Sequence, residues 1–211
     1  LSATADSDAN GTNTLQLNGT VQAAGVTLSG GGTNDTIDIN ASITAGGALT
    51  VQNAALAHLA DSVDLTGAGV SITATTLNLS GANASTNTIS STGDANAVSI
   101  AASITDTNNP NLTISSQGNV SLAAVTMGTG TLSVTADSNS NGTNTLAVNG
   151  VINNGGAVTL GGGGTNDTID INASVSGGGL LTIQNGGLAD LGDTAHLSGG
   201  GVGITATTLN L

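Results

Sequence analysis

Apolar and polar residues alternate along this chain in short bursts. Leu15/Leu17, Ile37/Ile39, Leu49/Val51, Val63/Leu65, Leu77/Leu79, Val98/Ile100, Leu112/Ile114 and Leu132/Val134 each bracket one polar residue. A period of two puts both apolar side chains on one side of an extended strand and the polar one on the other. Turn chemistry separates the bursts at Asn10-Gly11, Asn18-Gly19, Gly30-Gly31-Gly32, Gly46-Gly47, Asn108-Asn109-Pro110 and Gly128-Thr129-Gly130. The pattern predicts many short strands and no helix. Ala54–Ala60 has a helical composition, but it is short and lies between strand signals.

The chain repeats itself. Thr27–Leu79 realigns on Thr159–Leu211 at an offset of 132, with 37 of 53 positions identical. GGGTNDTIDINAS stands at Gly30–Ser42 and again at Gly162–Ser174; ITATTLNL stands at Ile72–Leu79 and Ile204–Leu211. Upstream, Ala5–Ser7 and Asn10–Leu15 return at an offset of 131, so one residue enters between Gly19 and Thr27, where a turn absorbs it. The organisation expected is one long repeat, residues 1–131, and part of a second, residues 132–211, continuous with the first. The two copies are expected to form equivalent rungs along one axis.

Short strands at this spacing suit a sandwich, a barrel or a solenoid. Tandem repetition favours stacking. So do small aliphatic inward residues, which fit a narrow column between parallel strands. Asn, Thr and Ser recur beside the strands, where like side chains can form hydrogen-bonded ladders at the ~4.8 Å strand spacing. The fold class predicted is all-β, an elongated parallel β-helix (β-solenoid). At roughly 20 residues per rung it would have about 10 rungs and be roughly 50 Å long.

Composition sharpens this picture. The 211 residues contain no aromatic residue, no Cys and no Lys or Arg, and all 13 acidic residues are Asp, for a net charge of −13. Aromatics usually dominate sandwich cores, so their absence again favours the solenoid. Nucleic-acid binding needs cations against phosphate, and an anionic membrane surface would repel the chain. No apolar run reaches the ~18 residues of a membrane span, so neither nucleic acid nor membrane insertion is expected. The first residues show no basic n-region followed by an apolar h-region, so no signal peptide is expected among them. The chain opens on Leu1 and stops within a strand pattern, and is expected to be a window of something longer.

Candidate chemistry is sparse. GGGTNDTID at Gly30–Asp38 and Gly162–Asp170 is similar to the calcium-binding nonapeptide of RTX proteins. Asp35 and Asp167 match its sixth position and Ile37 and Ile169 its eighth, while Thr33 and Thr165 replace its fourth glycine. Two readings stand. Asp35, Asp38, Asp167 and Asp170, with Asn34, offer the oxygen-only ligands that suit Ca²⁺. Alternatively the stretch is a Gly-rich turn in which Asp35 bonds its own backbone. No other cofactor is expected. His58 aligns with Asp190 and His196 with Asp64, so neither histidine keeps a fixed station, and both read as exposed polar residues. The pairs Asp6/Asp8 and Asp61/Asp64 would suit glycoside hydrolysis, but no cation or aromatic platform is present to hold a sugar. Thr73–Thr75 and Thr205–Thr207 resemble ice-binding pairs, yet occur once per long repeat. The expectation is that the chain is not an enzyme.

Thr76–Asn83 (TLNLSGAN) and Asn111–Leu122 (NLTISSQGNVSL) resemble the repeat regions of filamentous-haemagglutinin-like proteins, giant bacterial surface proteins exported by two-partner secretion or as autotransporter passengers. The resemblance implies a right-handed parallel β-helix serving as a stalk or adhesive fibre, secreted or on the bacterial cell surface. Its partners would be further copies of the repeat in the same chain. Self-association into an extracellular filament or sheath is the alternative, and a calcium-responsive module the second.

Overall fold

The computed structural model describes residues 1–211 and contains strands, turns and bends, with no helix. Every strand pairing is parallel, as a solenoid requires. Each turn of the chain lays one strand on each of three faces. Ser2–Thr4 opens face one, Thr14–Leu17 face two and Val21–Ala23 face three; Val26–Ser29 then returns to face one. Face two is a nine-stranded sheet. Faces one and three join into a 17-stranded sheet, because Leu180–Leu191 and Gly201–Asn210 each run unbroken from face three into face one.

The solenoid makes about nine turns. At ~4.8 Å per turn the stack is roughly 40 Å long. Turns are longer than the 20 residues first expected: partners on face one lie from 20 residues apart (Ala189 and Leu209) to 28 (Val70 and Val98). The surplus sits in corner loops such as Ser80–Ser85 and Thr92–Ala97, while the strands keep register apart from one shift between Gln184 and Gly186.

The alternating apolar residues form the bore. Val26, Leu49, Val70, Val98, Val120, Leu146 and Ile169 stack on face one; Ile89, Ile114, Val134 and Leu160 stack on face three. They belong to one continuous cluster of 43 buried residues. At strand spacing each aliphatic side chain touches its equivalents above and below, so burial needs no aromatic bulk. The first turn has a neighbour on one side only, and Leu15, Leu17 and Val21 are accordingly half-buried. The helical composition of Ala54–Ala60 is overridden: Leu56–Leu59 is a strand of face two, paired on both sides.

Outward residues form the ladders expected of Asn, Ser and Thr. Asn40 donates to Asn18 (3.0 Å), Asn78 to Thr105 (3.0 Å), and Thr66 bonds Ser90 (3.0 Å). On face three the outward pairs Thr88/Ser90, Thr113/Ser115 and Ser133/Thr135 lie on successive rungs. Hydroxyl pairs therefore do recur from rung to rung, through residues outside the two Thr-x-Thr sites.

The two long repeats lie on one axis but not on the same faces. Val26–Ser29 is on face one, whereas its equivalent Val158–Gly161 is on face three. Thr36–Ile39 is on face two and its equivalent Thr168–Ile171 on face one; Ile43–Ala45 is on face three and Val175–Gly177 on face two. The repeat is thus five turns plus two strands. Each local piece keeps its structure while moving to another face, which shows that its contacts are set by the adjoining turns and not by a particular face.

Candidate functional site

The corner entering Thr36–Ile39 begins with Gly30-Gly31-Gly32. Gly31 has φ +101° and Gly163, its equivalent, φ +107°, a region open essentially to glycine. A Cβ there would also overlap the backbone carbonyl of Asp6 or Asp137 in the adjoining turn. The glycine lets two turns touch backbone to backbone.

Asp35 is fully buried. Its Oδ2 accepts the Gly32 N–H (2.8 Å) and its Oδ1 the Asn13 N–H of the preceding turn (2.7 Å). Its own carbonyl accepts the N–H groups of Ala55 (2.9 Å) and Leu56 (3.3 Å) in the following turn. Asp167 repeats the pattern on another face, with Gly164 N–H at 2.7 Å, Asn144 N–H at 2.8 Å, and Gly187 and Leu188 donating to its carbonyl. Each aspartate therefore ties three successive turns together. A charged acceptor with backbone donors on both oxygens is among the stronger hydrogen-bonding arrangements, and it compensates the burial of a carboxylate.

Asp38 and Asp170 point the other way. Alternation along Thr36–Ile39 buries Ile37 and Ile39 and turns Asp38 outward. Asp38 accepts from Gln16 Nε2 (3.0 Å) and lies 2.9 Å from His58 Nδ1. Burial raises the Asp38 carboxyl, but hydrogen bonds from His58, Gln16 and Asn40 outweigh it and hold it below the usual aspartate value. Asp170 accepts from Asn172 (3.0 Å). The strand thus places Asp35 inside and Asp38 outside, and Asp167 and Asp170 likewise, so the four residues do not converge on one point. Nowhere do three or more Asp or His side chains gather.

His58 belongs to an outward column, Gln16–Asp38–His58–Asn78–Thr105, in which each residue sits over the next on face two. His196 is exposed, and its backbone carbonyl accepts from Val175. Asp61 is bonded by Ser62 (3.2 Å), and the Asp64 N–H donates to Ser42 Oγ (2.9 Å). Thr73 and Thr75 flank the corner between faces one and two. The surface depressions are shallow; one is lined by Ser99, Ser121 and Asn149 beside Ile100 and Leu122, and holds no Asp or His.

Sequence reasoning missed Asp137 and weighed Asp6 only as half of a hydrolytic pair. Asp6 and Asp137 are buried in the corner loops preceding Thr14–Leu17 and Thr145–Val148. Their signal was the return of Ala-Asp-Ser in both repeats. No family model matches the chain, and neither a curated protein nor a solved structure matches it.

Proposed function

We propose that the chain is a non-enzymatic structural segment of a large secreted or cell-surface adhesin, of the filamentous-haemagglutinin-like kind, forming a rigid stalk. The observation that carries this reading is the continuity of the parallel ladders and of the single aliphatic core over about nine turns. A stalk needs length with stiffness, and stacked turns supply both. The outward face supports the reading, because it is held by neutral Asn, Ser and Thr ladders that salt does not screen.

The test is proteolysis. Trypsin, chymotrypsin and glutamyl proteases find no preferred residue in this sequence, so resistance to them is compositional. A protease of broad specificity ignores that. The folded chain is expected to outlast a denatured control by far under such an enzyme, since ladder backbone away from the ends opens rarely. Degradation as fast as the control would remove the physical basis of the stalk.

A further inference from the structure

Asp6 is 7% exposed, yet its Oδ2 has no hydrogen-bond donor. Its Oδ1 accepts the Asp8 N–H (3.1 Å). Two residues on stands another carboxyl, that of Asp8. A buried acceptor without a donor is costly, and the chain has no Lys or Arg to satisfy it. A bound cation would.

The surrounding sequence has the spacing such a cation needs. Asp6-Ser7-Asp8-Ala9-Asn10-Gly11 returns as Asp137-Ser138-Asn139-Ser140-Asn141-Gly142. Both fit D-x-[DN]-x-[DN]-G, in which positions one, three and five aim side-chain oxygens at Ca²⁺. The glycine allows the sharp turn, and the seventh carbonyl, here Thr12 or Thr143, adds an oxygen. The acid usual at the twelfth position is missing: Leu17 and Val148 stand there and face the core.

The second loop differs. Asp137 is fully buried, and its two oxygens accept the N–H groups of Asn141 (3.3 Å) and Gly142 (3.1 Å). Asp94, from an earlier corner loop, accepts from Asn139 Nδ2 (2.6 Å) and Asn141 Nδ2 (3.1 Å). Amide donors thus hold the carboxylates of the second loop, whereas the first leaves the Oδ2 of Asp6 without one.

We propose that loop 6–12 binds one Ca²⁺, with Asp6, Asp8 and Asn10 as side-chain ligands. Asp35, Asp137 and Asp167 are not ligands, because backbone N–H donors occupy both oxygens of each. With two carboxylates and no bidentate Glu, an affinity of roughly 10⁻⁴–10⁻³ M is expected, the range of extracellular modules.

The experiment is calorimetric titration of the metal-free 211-residue chain with CaCl₂, up to about ten times that range. Wild type is expected to take up one equivalent and to melt at a higher temperature with calcium. Asp8→Asn removes it, whereas Asp94→Asn and Asp38→Asn keep it. Asp8 and Asp94 are exposed, so circular dichroism should show the fold unchanged. Absence of heat and of any melting shift in wild type would overturn the proposal, as would one equivalent surviving in Asp8→Asn.

Discussion

Ile114→Asp is expected to break the rod in two. Ile114 is fully buried in the face-three column between Ile89 and Val134. An ionised carboxylate there meets aliphatic side chains above and below, with no Lys or Arg in the chain to pair it. The cost is on the order of 5 kcal/mol even after the group shifts toward its neutral form. In a solenoid each turn is stabilised by its neighbours, so the damage should be felt as lost coupling between the two halves. Thermal melting by circular dichroism should change from one transition to two, at lower temperature. Leu15→Asp, in the half-buried first turn, should cost far less and leave one transition. Equal losses at the two positions would mean that stability is not passed from turn to turn.

Asp167→Ala is expected to be the most damaging removal of a polar side chain. It leaves the buried Asn144 N–H and the half-buried Gly164 N–H without an acceptor. At about 1–3 kcal/mol for each unsatisfied donor, the loss is roughly 2–6 kcal/mol. Asp167→Asn keeps one acceptor oxygen and should fall between Ala and wild type. Asp35→Ala should behave as Asp167→Ala does, because the corner is the same although the face differs. Chemical denaturation in a chelator and in calcium checks the origin. An equal loss in both places the role in the protein's own backbone; a loss seen only with calcium would assign Asp35 and Asp167 to metal.

The strands were legible from Ile37/Ile39 and their like because a half-buried strand has a period of two whatever it pairs with. Stacking was legible from the tandem repeat. The passage of each repeat to another face was not. Turn lengths range from 20 to 28 residues, and nothing in the residues counts strands, so equivalent sequence suggested equivalent face. The Asp35 turn was half legible: its bond to Gly32 is local and follows from Gly-Gly-x-x-x-Asp chemistry. The bond to Asn13 crosses to the preceding turn and could be found only from the stack. Asp38 stands three residues beyond Asp35 and invites a shared ion, but odd spacing along a strand puts the two on opposite sides. The corner loops had the reverse problem. The spacing of Asp6, Asp8 and Asn10 is written in the sequence, yet it gains weight from the buried, donorless Oδ2 of Asp6, which only the packing reveals.

Stiffness along the whole stack is the central claim, and native-state hydrogen exchange reads it amide by amide. The ladder amides from Leu49–Gln52 through Thr168–Ile171 should exchange slowest and together, since opening any one of them means parting two turns. Protection should fall only at the ends, in Ser2–Thr4, Thr14–Leu17, Leu197–Ser198 and Gly201–Asn210. The pattern should be the same at low salt and at about 1 M salt, where surface charges are screened within roughly 3 Å. Central turns that exchange as fast as the end turns, or protection that collapses when salt is added, would contradict a rigid stalk held by neutral ladders and an aliphatic bore.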